Sequence, residues 1–590
     1  MSARPPATPA APAKPAADWA GLGLVVAVAL AASAAGIFNA FAYDDIPFLQ
    51  LSPRLQGLDR LGEILTSPYW PPPWNQEHYR PLTSLLLALE WTVGSGNPVV
   101  FRLVSYLLYA ATSAGVYLLA SRLLPRPAAL AAGLLFAAHP VHVEVVAPAV
   151  GQSELVVGLL AVIMTLRYLD GRRRGALAAS EWALLGLLYF LASLAKEHGL
   201  VVPSLLVAVE LLLVPGGLAE KWRATWKGYA LLAGVAGAVV ALRLVLLAGT
   251  FSGQWTAEVL EGLSLSGRAL TMLTVVPEYL RLLVWPAHLR LDYGPQEMVA
   301  SAGFGLREAT GALLLVALLA TAWWGRRRAP ALAFGLAWAG LMILPFSNVL
   351  IPTGNLMAER FLFLPSAGFV LAVGGLLGAA AGQWLGGPVP GTGSPAAAGP
   401  REAGSVRPVA VAALAVLVVA GVARSAERHR VWRNEAFLSV RGVQDAPRSF
   451  RAQRAYAEVL FDLDQRELAE AAYREALELA PPSHRWRVRN DLARRYRALG
   501  ETAQEADQLR ASLAEQPEQE DTRGYLIVAL LALGRYPDAM AQADSALAAG
   551  ASPTIFSGLR EVADSAARAA APPGSVRIRL QTGPAGPARP

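Results

Sequence analysis

Long apolar segments alternate with short polar ones over the first three quarters of the chain. A run of about 20 apolar residues is long enough to cross the hydrocarbon core of a bilayer as a helix. The pattern therefore predicts an all-α, polytopic membrane domain over residues 19–424, with about eleven spans. The apolar windows lie near residues 19–38, 99–120, 127–139, 152–168, 181–194, 199–214, 228–249, 307–324, 329–346, 360–382 and 408–424.

The last quarter of the chain has a different pattern, because it is charged, Ala-rich and free of such runs. From Ser449 it repeats every 34 to 36 residues, with Asp464, Gly500 and Gly534 at equivalent positions. Pro481 and Pro517 each stand 17 positions after the first two of these. This is the period of TPR repeats, in which paired helices stack into an α-solenoid.

These two patterns predict the organisation of the chain. The predicted order is a disordered cytoplasmic N-terminus (1–18), the membrane domain (19–424, with a first outer loop at 39–98), a linker (425–447), a TPR domain (448–570) and a disordered tail (571–590). The first apolar run also admits a signal peptide that ends at Ala40-Phe41-Ala42. Either interpretation places Tyr43 outside.

Charge patterning predicts the orientation. The chain is 54% hydrophobic and 16% charged, with a net charge of +7. Its Lys and Arg residues form short clusters between apolar segments rather than a basic stripe, which favours membrane topology and excludes a nucleic-acid partner. The clusters share the cytoplasmic side if residues 266–285 form an interfacial or re-entrant helix. The C-terminal domain then lies outside.

Several polar motifs fall on the predicted outer side. Charged groups beside lipid are costly and therefore indicate function. Asp44 and Asp45 open the first outer loop and are the candidate catalytic carboxylates. The candidates for binding a donor phosphate or sugar in this and the later outer loops are Tyr79, Arg80, His139, His142, Glu144, Lys196, Glu197, Glu359 and Arg360.

This combination suits the transfer of a sugar from a polyprenyl phosphate whose lipid tail stays in the bilayer. A carboxylate takes the proton of the acceptor as the anomeric carbon becomes positive, and cations hold the leaving phosphate. No phosphate-binding loop or dinucleotide motif is apparent, which argues against a nucleotide-sugar donor. The absence of cysteine excludes disulfides, Cys-ligated zinc and thiol catalysis.

Each motif also has a structural interpretation. The Asp pair is compatible with a simple helix terminus, Lys196 and Glu197 with interfacial pairing, and Glu359 and Arg360 with an ion pair. His139, His142 and Glu144 are a weak signal for a metal. We therefore predict no metal site and no cofactor beyond the lipid-linked donor, and leave a divalent metal open.

Taken in order, these motifs resemble the transmembrane-and-TPR-containing (TMTC-type) O-mannosyltransferases, which are GT-C-class glycosyltransferases. The likeness spans residues 35–550, and Trp432-Arg433-Asn434 follows the last span as in that family. The segments that carry it are Tyr43-Asp44-Asp45, Tyr79 to Thr83, His139 to Glu144, Leu194 to Gly199, Tyr279 to Pro286, Asp292-Tyr293 and Ala358 to Ser366.

The resemblance implies a GT-C-type fold, a polyprenyl-phosphate-linked mannose donor, transfer to Ser or Thr hydroxyls and Asp44 as the base. Two features depart from the family: Gly151-Gln152-Ser153-Glu154 replaces its Gly-Arg-Ala-Asp-like stretch, and only about three repeats are present. The repeats are expected to contact a protein acceptor or partner.

Two alternatives remain open. One is a ligase or polymerase that uses a diphosphate-linked glycan, and the other is a non-catalytic membrane scaffold that displays TPR helices for envelope assembly. High Ala, Gly and Arg usage favours a bacterial inner membrane, with the active site and the repeats on the periplasmic side.

Overall fold

A computed structural model describes residues 18–71, 77–247, 256–385, 408–576 and 578 of the chain. Within these residues all regular secondary structure is helical, as the sequence predicted. The two segments predicted to be disordered lie in large part outside the described residues, as do Pro72, Pro73 and Trp74 of the first outer loop.

Fifteen α-helices precede the polar tail in the described residues, with several short 3-10 turns and one π-helical turn (Ile46–Gln50) between them. They are α1 (Trp19–Ser33), α2 (Leu61–Thr66), α3 (Pro81–Gly94), α4 (Pro98–Leu123), α5 (Arg126–Ala137), α6 (Val143–Val146), α7 (Gln152–Arg174), α8 (Ala179–Ala195), α9 (Pro203–Leu212), α10 (Leu218–Leu246), α11 (Leu265–Val284), α12 (Leu306–Arg328), α13 (Pro330–Ile343), α14 (Phe363–Leu385) and α15 (Pro408–Val431).

The chain is a multi-pass membrane protein. Seven of its described helices are long and apolar enough to cross a bilayer, or eight if α5 and the segment Pro140–Val146, which is bent by 42° from it, form one span. The segments Ala179–Ala195 and Pro330–Phe346 are apolar but shorter. The count of eleven spans therefore stays a prediction. Helix α11, over the segment predicted to be interfacial, is not among the candidate spans.

The membrane domain has one large apolar core to which α1, α4, α5, α7, α8, α9, α13 and α14 contribute. Small residues let its helices approach closely. A Cβ atom on Gly335 of α13 would lie 2.5 Å from the carbonyl oxygen of Gly368 in α14, and a Cβ on Gly368 would lie 2.4 Å from the carbonyl oxygen of Gly335. The two backbones are therefore in direct contact, as is common between membrane helices.

The segment predicted as the first outer loop is a folded cap. Phe48, Leu49 and Tyr69 bury their side chains in a small core shared with α3 and with Phe101 of α4. Arg54 ties this core together by donating to the carbonyl oxygens of Pro68 and Tyr69, at 2.7 and 2.6 Å. The cap therefore fixes the acidic motif against the membrane helices.

The polar tail consists of further helices that pair in antiparallel hairpins. Asp464, Gly500 and Gly534 lie in the turns between paired helices, each with positive φ, where glycine or a short polar residue is favoured. The helices are α16 (Glu435–Asp445), α17 (Phe450–Asp462), α18 (Arg466–Leu479), α19 (Pro482–Ala498), α20 (Thr502–Glu515), α21 (Glu520–Ala532), α22 (Tyr536–Ala548) and α23 (Pro553–Arg568).

Polar contacts hold the first two of these hairpins against the segment between α10 and α12. Arg451 of α17 pairs with Asp292 at 2.8 Å and also with Glu258. Ser449 donates its hydroxyl to Asp292 at 2.6 Å, and Ser483 donates to Glu261 at 2.6 Å. The tail is thus docked beside the membrane domain.

Candidate active site

The two adjacent carboxylates of the acidic motif have different environments. Asp45 is fully buried and accepts hydrogen bonds from the backbone N–H groups of Ala149 and Val150, each at 3.0 Å. Arg102 of α4, itself buried, lies 3.3 Å from the same carboxylate. Asp45 therefore anchors the motif to the α6–α7 connection.

Asp44, in contrast, is half-buried, and no described residue donates a hydrogen bond to its side chain. Burial raises the pKa of Asp44 to about 6; Arg360 opposes this rise, and the neighbouring carboxylates of Asp45, Glu144 and Glu435 add to it. A carboxylate with a pKa near neutrality and free oxygens is suited to accept a proton.

Arg360 is the cation that acts most strongly on Asp44. It lies in the 3-10 turn Glu359–Leu362 that precedes α14, and its guanidinium pairs with Glu144. Its backbone N–H also donates to Glu144 at 2.8 Å. The Arg360 side chain remains 28% exposed. Glu144 therefore fixes the position of the guanidinium while part of the side chain stays open to a ligand.

A second buried ion pair lies on the same side, where α8 ends. Lys196 donates to Glu154 of α7 at 2.5 Å, and His198 lies 3.0 Å from the other oxygen of that carboxylate. Lys196 is close enough to both Arg80 and Arg360 to be influenced by their charges. Residues from three separate loops therefore form one charged cluster.

Arg80 completes the cationic group. It donates to both oxygens of Glu197, at 2.8 to 3.2 Å, and its guanidinium stands 4.7 Å from the ring centre of Tyr69. Burial would raise the pKa of Glu197, but Arg80, His78 and Arg243 beside it hold that pKa well below its usual range. Glu197 is therefore an anion that orients these cations.

The other predicted donor-binding residues make contacts within the protein. His142 bonds to the Tyr109 hydroxyl at 2.9 Å and the Ser366 hydroxyl at 2.8 Å, and His139 lies 2.9 Å from the Leu283 carbonyl oxygen. The Tyr79 hydroxyl donates to the Leu65 carbonyl oxygen at 2.6 Å. Their role in donor binding stays a prediction.

Glu359 is also fully buried and joins three segments of the chain. It accepts from the backbone N–H of Arg290 at 2.5 Å and the Tyr293 hydroxyl at 3.2 Å, and it lies 3.8 Å from Arg428 of α15. Adjacent Glu359 and Arg360 therefore pair with different partners rather than with each other.

Four members of this charged cluster were not among the residues predicted for the site: Glu154, Arg243, Tyr69 and His78. Glu154 opens a predicted span, and Arg243 interrupts an apolar run, so the position of these two charges in the pattern is a usable signal. His78 directly precedes the Tyr79-Arg80 motif in sequence, whereas nothing in the sequence marks Tyr69, because its position depends on how the cap folds. Within the described residues no group of three potential ligands lies close enough to hold a metal.

A cavity of about 480 Å³ lies elsewhere, at the end of α15. Arg290, Arg424 and Arg441 line it together with Glu427 and Asp445. These charges largely pair with one another, and no predicted site residue lines this cavity.

Known proteins resemble this chain. Residues 78–246 match the family described as dolichyl-phosphate-mannose-protein mannosyltransferase. The chain is 26% identical over 384 residues to the human protein O-mannosyl-transferase TMTC3. This match covers 59% of the chain and 41% of that protein. It is 28% identical over 407 residues to human TMTC4, covering 60% and 54%. It is 29% identical over 298 residues to Drosophila melanogaster Tmtc2, covering 48% and 31%.

These matches confirm the resemblance that the motifs indicated. The chain spans about half or less of the length of these relatives. No solved structure matches it.

Proposed function

Since the chain is a relative of the TMTC-type protein O-mannosyl-transferases, we propose that it is a membrane glycosyltransferase. It moves a hexose, with mannose as the first candidate, from a polyprenyl phosphate to a Ser or Thr hydroxyl of a protein. The reaction takes place in the cleft around Asp44, on the outer side of the membrane.

The observation that carries this proposal is the difference in hydrogen bonding between Asp44 and Asp45. Asp45 is saturated by Ala149, Val150 and Arg102, whereas the Asp44 carboxylate has no hydrogen-bond donor among the described residues. With a pKa raised by burial to about 6, Asp44 is largely ionised at neutral pH and still basic enough to take a proton.

The cations around Asp44 suit the other half of the reaction. Arg80, Lys196 and Arg360 each pair with a carboxylate that sets their position, and they arrive from three different loops. Donors fixed in advance stabilise charge that develops on a leaving group, because they need not reorganise during the reaction. A phosphate monoester receives such charge when the bond to the sugar breaks.

The proposed transfer is a single displacement at the anomeric carbon of the sugar. Asp44 accepts the proton of the acceptor hydroxyl while the hydroxyl oxygen bonds to the anomeric carbon of the sugar. The bond from that carbon to the phosphate oxygen breaks, and its electron pair leaves with the polyprenyl phosphate, which Arg80, Lys196 and Arg360 hold. Attack from the side opposite the phosphate inverts the anomeric configuration.

The tail has a separate role in this proposal. Its hairpins are TPR repeats that contact the protein acceptor or a partner, consistent with their period and their positive-φ turns. Docking through Arg451 and Ser449 keeps them beside the cleft. An acceptor bound to the repeats is thereby held near Asp44.

The test uses the full chain reconstituted in proteoliposomes, with polyprenyl-phosphate mannose and a defined pool of Ser- and Thr-containing peptides. We expect labelled peptide and free polyprenyl phosphate in equal amounts. Asp44→Asn should lower the rate about 100-fold or more, because a positioned general base contributes on that order. Asp59→Asn, in the same loop but 78% exposed, is the matched control.

Two outcomes would overturn the proposal. Transfer from diphosphate-linked glycans alone would indicate the ligase or polymerase reaction. Absence of transfer from either donor, combined with full biological function of Asp44→Asn and loss of function on deletion of residues 448–570, would indicate a scaffold.

A further inference from the structure

The segment that follows the last span packs against the acidic motif, although about 390 residues separate them in sequence. The Asn39 side chain donates to the carbonyl oxygen of His429 at 2.7 Å. The backbone N–H of Ala40 donates to the carbonyl oxygen of Arg433 at 2.9 Å. The chain that opens the first outer loop therefore lies alongside the end of α15.

Tyr43 makes the closest of these contacts. Its backbone N–H donates to the carboxylate of Glu435 at 2.6 Å, and its ring meets the ring of the buried Trp432 edge-on, with centres 6.4 Å apart. Tyr43 has a φ of 55°, in the left-handed region that a residue with a bulky side chain rarely adopts. Such a conformation persists only where its surroundings hold it.

Glu435 is itself held in place. It is the first residue of α16, whose N-terminus is capped by Asn434, with the Asn434 side chain accepting from the Phe437 N–H at 2.9 Å. Trp432 and Leu438 pack with Ala42 in one apolar cluster. The segment from Trp432 to Glu435 therefore presents one rigid carboxylate to the residue that precedes Asp44.

We propose that Glu435 is a positioning residue for the transfer reaction: its carboxylate holds the backbone of Tyr43 in the left-handed conformation from which Asp44 reaches the cleft. This inference rests on the proposed function. It also assigns a role to the Trp432-Arg433-Asn434 motif, which places Glu435 at the start of a capped helix. Loss of the contact lets Tyr43 relax and turns Asp44 away from Arg360.

The first readout is hydrogen exchange of the full chain in detergent, which does not depend on activity. The peptide that spans residues 39–50 should exchange one amide about tenfold faster in Glu435→Ala than in the wild type, because the Tyr43 N–H loses its acceptor. Glu435→Gln keeps an acceptor oxygen and should retain most of the protection. Glu427→Gln, which removes an exposed carboxylate eight residues earlier, is the control.

The second readout is the transfer assay as a function of pH. Glu435→Ala should lower kcat about tenfold with little change in the KM for the donor, and Glu435→Gln should restore most of it. The groups whose charges act on Asp44 are Arg360, Asp45, Glu144 and Glu435. Both variants remove a negative charge that raises the pKa of Asp44. Both should therefore move the acidic limb of the pH profile of kcat/KM to lower pH, whereas Glu427→Gln should not.

Unchanged exchange at residues 39–50 in Glu435→Ala would overturn the inference, whatever the activity. So would faster exchange with wild-type kcat and an unshifted acidic limb. If exchange quickens but the wild type itself transfers no sugar, the contact exists and the proposed function is the claim that fails.

Discussion

At the scale of the residue, the acidic motif places two carboxylates side by side in different environments. Donors enclose Asp45, whereas the neighbouring Asp44 is half-buried and has a pKa that burial raises to about 6. The sequence predicted both as catalytic candidates. The resemblance implied Asp44 as the base, but the residue pattern alone could not separate the two, because the groups that bind Asp45 lie on α4 and beyond α6, more than 50 residues away in sequence.

The raised pKa of Asp44 predicts a stability effect. A carboxyl group whose pKa is higher in the folded protein than in the unfolded chain destabilises the fold as pH rises through its unfolded and folded pKa values. Asp44→Asn should therefore stabilise the protein above pH 7, on the order of 1 kcal/mol, and leave stability unchanged near pH 3. Thermal unfolding in detergent at the two pH values measures this, and a lower midpoint for the variant above pH 7 would contradict it.

The matched substitution at the next position, Asp45→Asn, should instead destabilise the protein. Asp45→Asn leaves Arg102 buried without a counter-charge, and breaking one side of a buried pair typically costs about 3 to 5 kcal/mol. We expect a large fall in the unfolding midpoint of Asp45→Asn under the same conditions. Equal midpoints for the two variants would show that the two carboxylates do not differ in environment.

The pairing of the cations is the other residue-scale feature that the sequence left undetermined. It predicted Lys196, Glu197, Glu359 and Arg360 as members of the site, but each pairs with a distant residue rather than its neighbour. Adjacent charges on a turn point in different directions, so proximity in sequence says little about pairing.

At the scale of the element, the apolar pattern predicted the helices well, and helices cover each of its eleven windows in the described residues. The pattern does not determine which helices cross the bilayer, because α8, α9 and α13 are short and partly buried inside the bundle. The folded cap of the first loop was not predicted, since its core comes from isolated aromatic residues.

The turn that leads into α7 should be intolerant of any side chain. A Cβ atom on Gly151 would lie 2.0 Å from the backbone carbonyl oxygen of Val145, which cannot move without breaking the α6 turn. Gly151→Ala should therefore destabilise the protein by about 2 kcal/mol or more, since backbone overlap costs more than ordinary overpacking. Because Val150 donates to Asp45, activity should fall as well.

Gly234→Ala in α10 is the control for that substitution, because nothing lies within 4 Å of the added Cβ. Alanine is the better helix former by about 0.5 to 1 kcal/mol, so this variant should be neutral or stabilised. Thermal unfolding compares the two, and a harmless Gly151→Ala would contradict the close contact at the turn.

At the scale of the whole molecule, the tail is held to the membrane domain by opposite charges. Arg451 pairs with Asp292 and Glu258 across this interface. Arg451→Glu should loosen the docking and speed hydrogen exchange in the segment around residues 287–298, and adding Asp292→Arg should restore part of the protection. No rescue by the second substitution would mean that this pair does not hold the tail.

Hydropathy and the repeat period led to a predicted order of domains, which stays a prediction, but neither could predict this docking. The residues on its two sides are ordinary surface charges in sequence, and only the fold brings Asp292 and Arg451 together. The same limit applies to Glu435 and Tyr43, whose contact links the two ends of the membrane domain.

The central claim is that Asp44 and the cations of later loops share one cleft on one face of the membrane. Because the chain has no cysteine, single cysteines at Gln50, Leu350 and Arg327 can be labelled with a membrane-impermeant maleimide in sealed vesicles of known orientation. We predict that positions 50 and 350 label from the same side and position 327 from the other. Labelling of positions 50 and 350 from opposite sides would contradict the shared cleft and, with it, the proposed transfer.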